Sequence, residues 1–271
     1  MLKIAILDMY NDVPNEGMRC IIQLIREFRE RENIELSYQL FNVRAKNEVA
    51  KLEDFDVFIS TGGPGDPTLD EVWETAYFTL IDQIFENNQS QENTKKYLLL
   101  ICHSFQLVAK HLGVGKVTKR KSTSFGVMPV HREEEGFQEL FFLGLPEPFY
   151  VVDSRDYQLI EPNFEVIENL GARVLCLEKQ RPYVDLERAV MAIRYSDEVF
   201  GTQFHPEADA EGMLRYFQRE DKRKVVIDNY GLEKYNDMVS KLDDPDKIML
   251  TESIIIPSFL KTAAESVLVL V

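Results

Sequence analysis

Read for the spacing of its apolar positions, the first half of the chain is a run of strands and helices in turn. Lys3-Ile4-Ala5-Ile6-Leu7 is a short apolar run of the buried-strand type, and Glu16 to Glu32 carries Met18, Ile21, Ile22, Leu24, Ile25 and Phe28 at helical spacing. Leu36 to Phe41 and Phe55 to Ile59 predict two further strands, and Leu69 to Asn87 predicts a helix. Leu98 to Ile101 predicts another strand, with a helix from Ser104 to Leu112. Strands and helices in this order give an α/β fold, a central mostly parallel sheet flanked by helices.

After Gly113 the pattern shortens. Stretches of β type fall at Ser124 to Val130, Phe149 to Val152, Phe164 to Glu168, Val174 to Leu177, Val190 to Tyr195 and Val199 to Phe204. These predict a small antiparallel extension. Glu211 to Glu220 and Asp228 to Leu242 are amphipathic and predict a helical C-terminal tail. The expected division is a main domain over residues 1–212 and an extension over 213–271. Its apolar runs Ile254-Ile255-Ile256 and Leu268-Val269-Leu270 are expected to pack on the domain or on a second subunit, so that a homodimer is one expectation.

Composition narrows the function classes. A formal net charge of −15 over 271 residues repels nucleic acid and anionic lipid, leaving proteins and small molecules as partners. Cys20, Cys102 and Cys176 are odd in number and far apart, which fits a reduced, cytoplasmic protein better than a disulfide framework. Four scattered histidines give no metal-ligand pattern, so neither a metal nor another cofactor is expected. The apolar ends Leu2 to Leu7 and Ser266 to Val271 are far below the roughly 20 residues of a membrane span, and no membrane role is expected.

Candidate chemistry sits at strand ends. Cys102-His103-Ser104-Phe105-Gln106 follows the apolar run Tyr97 to Ile101 directly. A sharp turn there would hold a thiol at the sheet's edge, where helix amides favour the thiolate. His205-Pro206-Glu207 follows the strand near Val199 to Phe204, and Thr61-Gly62-Gly63-Pro64-Gly65-Asp66-Pro67 follows the strand ending at Ile59. Taken singly these are a buried cysteine, a structural histidine and a turn. Together, at the C-terminal ends of parallel strands, they supply a nucleophile, a base, an orienting carboxylate and bare backbone N–H groups for an oxyanion.

Gly62-Gly63-Pro64, Cys102 with Gln106, and His205-Pro206-Glu207 resemble the three signatures of the class I, triad-type glutamine amidotransferases, whose fold is flavodoxin-like. The resemblance runs from the N-terminus to about Gly212. Phe142 to Pro146 and Val152 to Asp156 are similar to the middle of that family, closest to the glutaminase domain of GMP synthetase. It implies that Cys102 attacks the side-chain amide of glutamine to form a γ-glutamyl thioester, with His205 as base and acid and Glu207 as its orienter. It further implies that the amides of Gly63 and His103 form the oxyanion hole, and that Gly62, Gln106, Ser154 and Arg155 border the substrate. Ammonia would pass to a separate synthase or acceptor protein.

The chain departs from the family pattern at the elbow, where Leu100 and Ser104 stand two before and two after the cysteine in place of glycine, and at Arg155, where relatives of the GMP synthetase type carry histidine. Serine is small enough for the turn; Leu100 either relaxes it or packs beneath it. Two alternatives differ in class. One is a cysteine hydrolase of γ-glutamyl conjugates or peptides, favoured by a wider cleft around Ser154 and Arg155. The other is an inactive regulatory homologue.

Overall fold

A computed structural model describes residues 1–269 apart from 182, 184 and 243. Its elements are β1 (Leu2–Asp8), α1 (Gly17–Glu32), β2 (Leu36–Asn42), the single turn α2 (Val43–Lys46), β3 (Val57–Ser60), α3 (Glu74–Gln89), β4 (Tyr97–Ile101) and α4 (His103–Leu112). Then follow β5 (Lys116–Arg132), β6 (Phe149–Ile160), α5 (Phe164–Leu170), β7 (Arg173–Glu178), β8 (Val190–Arg194), β9 (Val199–Thr202), α6 (Ala210–Gln218), α7 (Glu220–Tyr230), α8 (Leu232–Ser240) and α9 (Leu250–Val269).

All nine strands join one sheet in the order β2-β1-β3-β4-β9-β8-β7-β5-β6. From β2 to β9 every pairing is parallel, and from β9 to β6 every pairing is antiparallel. The antiparallel extension expected after Gly113 continues the central sheet.

The parallel half shows why its strands are apolar throughout. In β4, Tyr97, Leu99 and Ile101 face a core shared with Ile21, Leu24, Ile25 and Phe28 of α1 and with Ile255, Ile256, Phe259 and Leu260 of α9. Leu98 and Leu100 face the opposite core, with Tyr77, Leu80 and Ile81 of α3 and Phe105 and Val108 of α4. Strands covered on both faces must be apolar at every position. The Phe259 ring of α9 meets Tyr97 and Phe141 edge-on at 6.4 and 6.0 Å, so this helix is part of the main core. The buried residues of α9 continue as far as Val267; Leu270 and Val271 lie outside the described residues.

A third cluster lies on the antiparallel half, where Val127 and Val152 meet Met213, Phe217, Val226 and Met238 of the three helices that follow the sheet. Two local expectations fail here. Phe164 to Glu168, read as β, is helical: the Asn163 side chain caps α5 by accepting from the Val166 N–H, and Gly171 ends it at φ 66°. Asp228 to Leu242 is two helices because Gly231, at φ 85°, breaks the run between α7 and α8. Among the described residues no helix is long and apolar enough to cross a membrane.

Candidate active site

The five residues of β4 are all buried, and the chain leaves that strand through Cys102 at φ 49°, ψ −95° before α4 begins at His103. A left-handed φ is costly for a residue with a Cβ and persists only where the surroundings enforce it. They do so through named bonds. The Cys102 N–H donates to the Thr202 carbonyl at 2.7 Å, and the Gln106 N–H donates to the Cys102 carbonyl at 3.0 Å as the helix starts. Ser104 accepts from the Ile101 N–H at 2.9 Å and donates to the Ser60 carbonyl at 2.8 Å, tying the elbow to β3. Its side chain thus fastens the turn between β4 and α4.

Leu100 packs beneath the elbow. It is fully buried in the α3–α4 core and pairs with Gly201 of β9. A side chain at Gly201 would come within 2.7 Å of the Phe105 ring, so the bulk gained at Leu100 sits beside bulk absent from its neighbour.

The loop after β9 brings histidine to cysteine. The His205 N–H donates to the Val152 carbonyl at 2.9 Å, which holds the loop against β6. His205 Nδ1 lies 2.8 Å from Glu207 Oε1, and that carboxylate is 1% exposed. Gly62 fits between the two side chains: a Cβ there would come within 2.8 Å of His205 Cε1 and 3.6 Å of Cys102 Cβ. Burial alone would lower the His205 pKa, but the Glu207 carboxylate and the Cys102 thiol outweigh it and hold it well above the ordinary histidine value. The ring is therefore a strong proton holder facing a sulfur.

The glycine loop is stitched in place from below. Thr61 Oγ1 accepts from the Met9 N–H at 2.9 Å and donates to the Gly62 carbonyl at 2.8 Å. Arg44 donates to the Met9 carbonyl at 3.2 Å and to the Pro64 carbonyl, and stacks over Trp73. Gly63 has no room for a side chain, because a Cβ would sit 2.2 Å from the Met9 carbonyl oxygen. His103 is 3% exposed, and burial, reinforced by the Arg44 charge, pulls its pKa down to about 3. Its imidazole is neutral at ordinary pH, while its backbone N–H lies in the first turn of α4, where a helix supplies its donors no internal acceptor.

Gly63, Cys102, His103, Gln106, Ser154, Arg155 and His205 all border one cavity of about 780 Å³. Within it the expected substrate residues divide. The Ser154 carbonyl lies 3.8 Å from the Cys102 sulfur. Gln106 spends its amide donors on the Tyr157 carbonyl and on Gln203 Oε1, each at 3.0 Å, and Gln203 Nε2 in turn stands 3.7 Å from the sulfur. Arg155 is buried, with Nε on Asp153 at 2.9 Å and Nη2 3.4 Å from Met191 Sδ. The guanidinium expected to border the substrate is thus engaged inside the protein, because alternate residues of β6 point to opposite faces.

Tyr10, Gln203, Arg44, Phe125 and Tyr216 belong to this site and carry no sequence signal of their own. Gln203 is the exception in part, since it stands two residues before His205 in the same short run.

Comparison with known proteins agrees with this fold. The model of the glutamine amidotransferase class-I family matches residues 16–220. No curated protein sequence matches the chain at a significant level. Among solved structures, a glutamine amidotransferase from Thermotoga maritima is similar at TM-score 0.65 and 17% identity, covering 97% of this chain and 98% of its own. A putative GMP synthase subunit from Thermoplasma acidophilum gives TM-score 0.53 and 18% identity, over 86% of this chain and 98% of its own. The glutaminase domain of a Trypanosoma brucei CTPS with bound acivicin gives TM-score 0.58 and 12% identity, over 98% and 94%. At these identities the likeness to solved structures is one of fold.

Proposed function

The chain belongs to the class-I glutamine amidotransferase family, and from that premise we propose that it hydrolyses the side-chain amide of glutamine through Cys102, His205 and Glu207. The observation that carries the reading is the left-handed Cys102 at the head of α4, facing a His205 ring whose other nitrogen is held by a buried Glu207. A thiolate made by proton transfer to His205 attacks the amide carbon, and the oxyanion that forms is met by the N–H groups of Gly63 and His103. His205 then gives its proton to the leaving nitrogen, the carbon–nitrogen bond breaks and ammonia departs. Water, deprotonated by the same ring, cleaves the γ-glutamyl thioester to glutamate and restores the thiol.

Glu207 fixes the tautomer and steadies the imidazolium, which accords with the raised His205 pKa. Ser154 supports the substrate through its carbonyl, and Gln106 acts through Gln203 instead of touching the substrate. Ammonia goes to a separate synthase or acceptor protein in the cytoplasm, where the buried thiols of Cys20, Cys102 and Cys176 stay reduced. The test is release of ammonia and glutamate from glutamine by the purified protein, with Cys102→Ala as control. Release by the parent and none by the variant is expected; equal release by both would refute the nucleophile, and none by either would refute the activity.

A further inference from the structure

The cavity above Cys102 is far larger than glutamine needs. At about 780 Å³ it falls in the upper part of the roughly 300–1,000 Å³ range that holds drug-sized ligands. A general acid must reach the nitrogen it protonates, so the leaving group of any substrate lies on the His205 side of the sulfur. On that side a second space of about 130 Å³ adjoins the first, sharing Tyr10, Phe125, Ser154, His205 and Tyr216 with it. Val152, Ala208 and Met213 line it, and the carboxylates of Glu16, Glu207 and Asp209 that also border it are held by Arg19, Arg215 and His205.

The rings that bound this space are in contact, Phe125 lying 5.4 Å from Tyr216. Tyr216 comes from α6, and Val226 of α7 closes the same cavity further out. Lys121 and Arg219 outnumber the one acidic residue, Asp156, that lines the larger cavity, and Arg219 sits over the Tyr216 ring at 5.7 Å. A leaving group of ammonia alone uses none of this.

Resting on the amidotransferase reading of Cys102 and His205, we infer that the site accepts γ-glutamyl amides of apolar amino acids, whose side chain fills the Tyr10–Phe125–Tyr216 space and whose carboxylate meets the cationic rim. The chemistry balances as for glutamine. Cys102 sulfur bonds to the γ-carbon, the carbon–nitrogen bond breaks, the His205 proton goes to the departing amine, and the free amino acid leaves. Water then releases glutamate from the thioester.

The test measures kcat/KM for γ-glutamyl-phenylalanine, γ-glutamyl-putrescine and glutamine on the full chain. The phenylalanine conjugate is expected to exceed each of the others by about tenfold or more, the discrimination an apolar pocket supplies. Tyr216→Ala should cut its advantage over glutamine by about tenfold, and Tyr216→Phe should restore it. Glutamine hydrolysis with an equal or slower rate on the phenylalanine conjugate overturns this inference and leaves the glutaminase reading standing. Faster cleavage of the putrescine conjugate overturns the pocket's assigned chemistry. Turnover of none of the three, with a folded protein, overturns both readings.

Discussion

The parallel and antiparallel halves of the sheet meet at β9 and do different work. In the parallel half the strands are short and buried on both faces, and their C-terminal ends deliver Gly62, Cys102 and, past β9, His205 to one edge. In the antiparallel half β5 runs for 17 residues, shifts register between Lys119 and Ser124, and carries Gly126 at φ 123° against Met238 of α8. That half contributes Phe125, Ser154 and Tyr157 to the cavity. Regular, doubly covered strands fix where the proposed triad stands; long, bent, singly supported ones shape the space around it. Changes in the first half should affect every substrate alike, and changes in the second should affect selectivity or stability.

The largest effect is expected at Glu207. Glu207→Gln keeps the shape but favours the wrong His205 tautomer, and should lower kcat by about 10⁴-fold for all substrates. Equal losses with glutamine and a γ-glutamyl conjugate would confirm that the parallel half acts before selectivity; a loss below tenfold would break the comparison. Gly63→Ala comes next. Its Cβ would meet the Met9 carbonyl at 2.2 Å, shifting the loop, and kcat should fall by about 10²–10³-fold as for a lost oxyanion donor. An unchanged kcat would remove Gly63 from the oxyanion hole.

Arg155 tests the other half. Its side chain and that of Asp153 are 1% and 2% exposed, so Arg155→Met leaves a buried carboxylate without its partner. Thermal or denaturant unfolding should show a loss of about 3–5 kcal/mol, and the KM for glutamine in the folded variant should change little. A large rise in KM with full stability would return Arg155 to the substrate.

The smallest effect concerns pH. The pKa of His103 is about 3 in the folded chain and near 6.5 when unfolded, so between those values the unfolded chain binds the extra proton. The stability this group contributes is fully present above pH 6.5 and declines as pH falls towards 3, by about 1 kcal/mol from pH 6 to pH 5. His205 has the opposite sign: its raised pKa adds stability that is present below pH 6.5 and is lost as pH rises through the folded value. His103→Gln should flatten the acid slope alone. A slope unaltered by that change would assign it to other groups.

Much of the parallel half could be read from the sequence, because burial on both faces leaves continuous apolar runs and the candidate residues follow those runs directly. Cys102, His205 and Glu207 stand out as candidates for that reason, and so does the turn at Gly62 and Gly63. The antiparallel half was less so. Its strands pair across long separations, such as Ser124 with Arg155, and the register shift before that pair has no local mark. Which face Arg155 takes, or that Tyr10 and Tyr216 meet at one cavity, depends on that register. Phe164 to Leu170 misled in another way: its branched and aromatic residues favour a strand, and the caps Asn163 and Gly171 overrule them.

Ser104 has a wider meaning. Its hydroxyl anchors Ile101 and Ser60, and Ser60 in turn meets the Tyr77 hydroxyl at 2.9 Å, so the bend under the Cys102 sulfur is moored through β3 to α3. Such an elbow is recognised by its torsion angle and its tethers, and a search that demands small residues flanking the thiol would pass it by.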